Sequence, residues 1–226
     1  MLELNKVHLM DCMEGMADIP DNYFELAIVD PPYGVGASSS QFTREGKQTG
    51  RSKCVSGLGY KKGVWDECTP DSIYFDELYR ITENQIIWGV NFFAGFYRFS
   101  SGRIIWDKDN GENRYSDCEI ALQTKTESIR QYKYKWHGML QEHMGRKEKR
   151  IHPTQKPIDL YKWLLKNYAK EGDKILDTHV GSGSSIIACI DMGFDYMGFE
   201  IDEDYHKAMT DRIYHFTRQT GLFNDN

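Results

Sequence analysis

The stretch Ala27-Ile28-Val29-Asp30-Pro31-Pro32-Tyr33-Gly34 decides how this 226-residue chain is read. An apolar run from Phe24 to Val29, bounded by turn residues, has the composition of a fully buried strand. Pro31 and Pro32 lack the N–H that a ladder needs, so the strand stops there. Pro31 also disfavours helical backbone at Asp30, which stays extended at the strand tip. Gly34 then permits a sharp turn. A carboxylate and an aromatic ring are thereby fixed at the carboxyl end of a buried strand, the position where open α/β sheets bind ligands. The plain alternative is a proline turn with a solvated acid and a packed ring, so the rest of the chain has to choose.

A second stretch does so. Lys174-Ile175-Leu176-Asp177 reads as a short strand, followed by Thr178-His179-Val180-Gly181-Ser182-Gly183-Ser184-Ser185 and an apolar helix from Ile186 to Met192. Strand, glycine-rich turn and helix start let a backbone approach a ligand closely. The third glycine of a dinucleotide fingerprint is absent, and an acid ends the strand. That suits a ligand carrying a positive group, such as the amino group of methionine, better than a pyrophosphate. Glu200 follows about 20 residues later, where an acid that binds ribose belongs.

Further strands are expected at Val7–Met10, Gln85–Gly89, Gly102–Asp107, Glu119–Leu122 and Asp195–Glu200. A helix is expected to start at Thr69 as N-cap with Pro70 in its first turn and to bury Tyr74, Leu78 and Ile81. Another should begin at Pro157, bury Ile158, Tyr161, Leu164, Leu165 and Tyr168, and end at Gly172. The last, from Asp202, should bury Tyr205, Ala208, Met209, Ile213 and Phe216.

The net charge is −6, but it is unevenly spread. Residues 33–63 hold six Lys/Arg against one acid, and residues 125–150 hold eight against three. An acidic body with two basic segments suits nucleic acid at one face. Residues 34–63 read as a loop beside the site; residues 124–150, with Tyr132, Tyr134, Trp136 and His137 among their charges, read as a small DNA-contacting insert or a surface hairpin. The five cysteines are dispersed with no C-x-x-C pair, which argues against a zinc site or a disulfide frame and suits a reducing, cytoplasmic setting. Neither a signal peptide nor a membrane span is expected. The length fits a single domain, 1–226.

Asp30-Pro31-Pro32-Tyr33, then His152-Pro153-Thr154-Gln155-Lys156-Pro157, then Asp177 through Ser185 and Gly198-Phe199-Glu200 together resemble the amino-group DNA methyltransferases. The circularly permuted order, catalytic motif before cofactor loop, resembles their beta arrangement, near small bacterial and phage-type adenine enzymes. The resemblance implies a class I S-adenosylmethionine-dependent fold: an α/β, seven-stranded, mostly parallel, Rossmann-like sheet with helices on both faces. It implies methyl transfer from S-adenosylmethionine to adenine N6 in double-stranded DNA, with Asp30, Pro31, Pro32 and Tyr33 catalytic. It implies a cofactor site of Asp11 and Cys12 at the adenine; Asp177, Gly181 and Gly183 at the methionine and ribose; Glu200 at the ribose hydroxyls; and Lys156 at the carboxylate end. Asp30, Thr154, Gln155, Pro157, Thr178, His179, Ser182, Ser184, Ser185 and Asp202 complete that set. The family usually has Pro-Phe where this chain has Thr178-His179. Cytosine N4 is the alternative target, and those enzymes more often carry Ser at the position of Asp30. A protein-glutamine or RNA methyltransferase would place Asn-Pro-Pro-Tyr after the glycine loop, and a non-catalytic DNA-binding subunit would have lost Asp30 or the loop. Relatives suggest a homodimer; a partner endonuclease stays open.

Overall fold

A computed structural model describes residues 2–34, 69–93, 100–111, 116–137 and 140–224. The chain opens with β1 (Lys6–Leu9), α1 (Cys12–Ala17) and β2 (Phe24–Val29). After α2 (Ser72–Ile81) come β3 (Thr82–Trp88), β4 (Arg103–Asp107), β5 (Cys118–Gln123) and β6 (Ile129–Lys133). A hairpin of β7 (Trp136–His137) and β8 (Leu140–Gln141) precedes α3 (Ile158–Tyr168), β9 (Lys174–Asp177), α4 (Ser184–Met192), β10 (Asp195–Glu200) and α5 (Glu203–Asn224).

Eight strands form one sheet in the order β1-β10-β9-β2-β3-β5-β4-β6. All pairings are parallel except those of β5, which runs against both of its neighbours. The fold is therefore the α/β, mostly parallel class expected. The seven strands read from the sequence are all present, and β6 is an eighth, paired to β4 through Ile104↔Arg130.

The strands of the sheet centre are buried on both faces, so their side chains alternate between two cores. From β2, Phe24, Ala27 and Val29 join Met16 of α1 and Phe75, Leu78 and Ile81 of α2 on one face. Leu26 and Ile28 join Leu160, Leu164 and Leu165 of α3 and Ala188 and Cys189 of α4 on the other. Trp88 and Trp106, 0% and 1% exposed, are core.

Three local expectations shift. The N-cap of α2 is Asp71, not Thr69, because the Asp71 carboxylate accepts from the amides of both Ile73 and Tyr74. Pro157 is the cap of α3 and not its first helical residue. That helix ends at Tyr168; Gly172, at φ +88°, serves the turn before β9. In α5, Tyr205 and Met209 are buried, while Ala208, Ile213 and Phe216 are only partly so.

In the basic segment the hairpin alternative is present, and two of its aromatics are core. Tyr134 and Trp136 are buried, so they pack instead of standing ready to stack on bases. The Tyr134 hydroxyl donates to Asp159 at 2.8 Å, the Trp136 indole N–H donates to the Gln155 carbonyl at 2.9 Å, and Tyr132 stacks on Trp163. Residues 35–63 of the expected loop lie outside the described residues. Cys12, Cys118 and Cys189 are free thiols. Among the described residues no helix is long and apolar enough to cross a membrane.

Candidate active site

The sheet order creates the crevice. From β9 the chain passes through α4 to β10 on one side, whereas from β2 it passes through α2 to β3 on the other. Adjacent strands that send their connections apart form a topological switch point, where ligands bind at the carboxyl ends. Asp30 and Asp177 stand at those two ends, on neighbouring parallel strands registered through Leu26↔Ile175 and Ala27↔Leu176. The two stretches that the sequence singles out, about 147 positions apart in the chain, meet here.

Both carboxylate oxygens of Asp30 are engaged. Oδ1 accepts from the Tyr33 hydroxyl at 2.5 Å, and Oδ2 lies 2.5 Å from the Lys156 ammonium. Burial pushes the Asp30 carboxyl up from the usual range, against the pull of Lys156. Pro31 is buried behind it. The Tyr33 ring lies parallel to that of Phe92, with centroids 5.0 Å apart and planes 13° apart. It passes so close to Gly89 that a Cβ there would meet its Cε1 at 2.1 Å.

Lys156 does not present a free ammonium to a ligand carboxylate, the role expected of it. Its side chain is 2% exposed and lies between Asp30 and Glu119, whose Oε2 is 3.0 Å away. The other Glu119 oxygen pairs with Lys108 at 2.6 Å. Burial would raise the Glu119 carboxyl, but the two ammonium groups hold it at about 2.

A second cluster surrounds Asp177. Its carboxylate accepts from the Ser185 hydroxyl and, at 3.0 Å, from the His179 amide. Among the described residues it has no cationic partner, and burial pushes its carboxyl up to about 7. The Thr178 hydroxyl links Tyr74 at 2.7 Å to His179 Nδ1 at 2.9 Å. Burial drives the His179 imidazole down to about 4, so the ring is neutral. Gly181 and Gly183, at φ +52° and +77°, turn the chain into α4; a Cβ on Gly183 would meet Met209 at 2.5 Å.

Glu200, at the tip of β10, accepts from the Gly181 amide at 2.8 Å and the Asp202 amide at 2.9 Å. Asp202 itself caps α5 through the amides of Asp204 and Tyr205. At the tip of β1, Asp11 caps α1 through the Met13 amide at 2.7 Å, and burial raises the Cys12 thiol to about 12. The carboxyl ends of β2, β9, β10 and β1 thus carry Asp30, Asp177, Glu200 and Asp11 in one row.

Other expected residues act within their own loops. Thr154 Oγ1 lies 3.1 Å from His152 Nδ1, Gln155 accepts from the Ile151 amide at 2.9 Å, and Pro157 starts α3. Ser182 and Ser184 hydroxyls share a 3.1 Å hydrogen bond, and Arg212 donates to the Ser182 carbonyl and the Ser184 hydroxyl. Glu119 and Phe92 escaped the sequence reading. The signal for Glu119 was an acid leading directly into the apolar run Ile120-Ala121-Leu122; Phe92 had none beyond following Gly89.

A family model described as DNA methylase, for N6 and N4 methylation, matches residues 73–211. The type II methyltransferase M1.MboII of Moraxella bovis is 24% identical, over 91% of this chain and 95% of its own. The structure of M1.HpyAVI in complex with SAM superposes with a TM-score of 0.60 at 17% identity, covering 92% of this chain and 98% of that one. The cytosine-N4-specific PvuII DNA methyltransferase superposes at 0.56 and 12% identity, covering 95% and 91%.

Proposed function

The chain belongs to the DNA methylase family of N6 and N4 amino-methyltransferases, and from that premise we propose that it methylates the exocyclic N6 of a flipped-out adenine in DNA. Its cofactor is S-adenosylmethionine. The observation that carries the reading is the placement of Asp30-Pro31-Pro32-Tyr33 beside the Asp177 loop at the switch point.

The residues fit the cofactor. Asp177 is a buried acid with no cationic partner among the described residues, suited to a methionine amino group. Glu200 keeps lone pairs for ribose hydroxyls while two amides hold it in place. Gly181 and Gly183 let the backbone come close. When bound, S-adenosylmethionine supplies a methyl group whose bond to sulfur breaks, the electron pair staying on sulfur, as the amine lone pair forms the new N–C bond.

The chain's own residues prepare that amine. Its lone pair is delocalised into the ring, so it is a weak nucleophile. Asp30 and the Pro31 carbonyl both accept hydrogen bonds, and two N–H bonds given to them draw the nitrogen toward tetrahedral geometry. The carboxylate stabilises the positive charge that grows on nitrogen. The Asp30 carboxyl, raised by burial, then accepts the proton that the methylated nitrogen sheds. Tyr33 gives up its bond to Asp30 Oδ1 and stacks on the base, which must leave the duplex to reach the crevice.

The test is incubation with tritiated S-adenosylmethionine and mixed genomic DNA, wild type against Asp30→Ala, followed by nucleoside analysis. Label in N6-methyladenine that vanishes in the variant is expected. Label in N4-methylcytosine would move the target to cytosine, and absence of label from DNA would refute the reading.

A further inference from the structure

The ion pairs behind Asp30 raise a chemical problem for the reaction proposed above, on which this inference rests. An ammonium touching the accepting carboxylate cancels its charge, so the pair presents little negative field to an amine that is becoming cationic. Lys156 makes that contact at 2.5 Å and also lies 3.2 Å from the Tyr33 hydroxyl. It is packed 5.4 Å from the Trp88 ring centroid and 5.6 Å from that of Tyr33, so it has nowhere to retreat.

Glu119 answers the problem. It arrives from β5, an antiparallel strand outside the glycine loop and the proline motif, and takes the far side of the same ammonium at 3.0 Å. We infer that Glu119 is a positioning residue for methyl transfer: it neutralises Lys156, which can then hold Asp30 in place without cancelling the charge that Asp30 shows to the amine. With Glu119 the trio of Asp30, Lys156 and Glu119 carries −1; without it, zero. Lys108 pairs with the other Glu119 oxygen at 2.6 Å, on the side away from Lys156, so its charge acts on Asp30 from farther off than that of Glu119. Among the described residues, the charged and titratable groups facing Asp30 are Tyr33, Lys156, Glu119, Tyr161 of α3 and Asp177 of β9. Of these, Glu119 is the one whose charge reaches Asp30 through another side chain.

The experiment compares wild type, Glu119→Gln and Glu119→Asp as full chains, with tritiated S-adenosylmethionine and DNA, across the acid limb of the rate profile. Glu119→Gln should lower kcat about 30-fold (about 2 kcal/mol at 1.36 kcal/mol per tenfold). Cofactor affinity by calorimetry should change less than about twofold, because Asp177 and Glu200 are untouched. Glu119 raises the proton affinity of Asp30, so the acid limb should move to lower pH in Glu119→Gln. Glu119→Asp keeps the charge and should restore both rate and limb. A loss of packing alone would move neither limb nor recovery in this way. Wild-type kcat in Glu119→Gln, or a lower kcat with an unmoved limb, overturns the inference. If Glu119→Gln does not fold, Lys108→Gln takes its place; it frees Glu119 from its outer partner and should move the limb upward, and an unmoved limb overturns the inference. If the wild type methylates no DNA, the reaction is wrong and the charge relation is judged without turnover. The carbon-13 shift of the Asp30 carboxyl should then titrate at lower pH in Glu119→Gln, and an unchanged midpoint overturns the inference.

Discussion

Cofactor affinity should depend on pH through Asp177. The carboxyl stands at about 7 because it is buried and, among the described residues, has no cationic partner, and a methionine amino group needs it ionised. One pH unit below that midpoint about a tenth of it is ionised; at the midpoint, half. Affinity for S-adenosylmethionine should therefore rise about fivefold over that unit, a window below ~7.7, where an α-amino group starts to lose its own proton. The unliganded chain should behave in the opposite sense. A raised folded pKa contributes stability that is complete below the ordinary value of 3.8 and is lost as pH rises through about 7. The free protein should thus melt lower as pH climbs through that window, and the liganded protein should lose less. Asp177→Asn removes a charge-assisted bond of about 1.5–3 kcal/mol, so binding should weaken about 10- to 150-fold and become flat in pH. Titration calorimetry across the window, paired with melting curves, reads both effects. Wild-type affinity that is flat across the window, or wild-type affinity in Asp177→Asn, refutes the reasoning.

Other expected outcomes follow from single contacts. Gly89→Ala puts a Cβ at 2.1 Å from the Tyr33 ring on a backbone at φ +72°; kcat should collapse while cofactor binding by calorimetry stays near wild type. Tyr33→Phe removes the 2.5 Å bond to Asp30 Oδ1 and should leave kcat within about threefold, whereas Tyr33→Ala loses base stacking of about 1–3 kcal/mol and should raise KM for DNA about tenfold or more, as steady-state kinetics will show. Arg80 donates to the Ile19 carbonyl at 2.7 Å and the Met16 carbonyl at 2.9 Å, tying the end of α1 to α2; Arg80→Ala should cost about 1–2 kcal/mol in denaturant unfolding without changing kcat.

What was legible in the sequence follows burial. The seven expected strands are those whose apolar runs the core demands, and α2 and α3 showed their buried stripes. β6 was missed because Ile129-Arg130-Gln131-Tyr132-Lys133 is an edge strand, exposed at four of its five positions, and carries no alternation to read. α1 was missed because six residues containing Gly15 barely complete a turn and a half. Helix starts slipped by one or two positions, since neighbouring residues such as Thr69 and Asp71 both have capping chemistry and geometry alone chooses between them. The site residues came from motifs, and the structure groups the main ones. Motifs are silent about which charge faces which. Lys156 meets Glu119 across 37 positions of sequence, a pairing that only the sheet order creates. The aromatics of 124–150 looked like a stacking surface because their burial depends on α3, which lies later in the chain.

The crevice between β2 and β9 has a mechanical side. Registered pairing between these strands stops at Ala27 and Leu176, short of Asp30 and Asp177, whereas β2 and β3 stay registered through Val29 and Ile87. The sheet is therefore thinly stitched where the crevice opens. A ligand gripping Asp177 on one bank and Asp30 on the other acts as a missing rung. Amide hydrogen exchange along β2 and β9 should slow together when both substrates are present, so occupancy of the site is also a statement about how firmly the two halves of the sheet are joined.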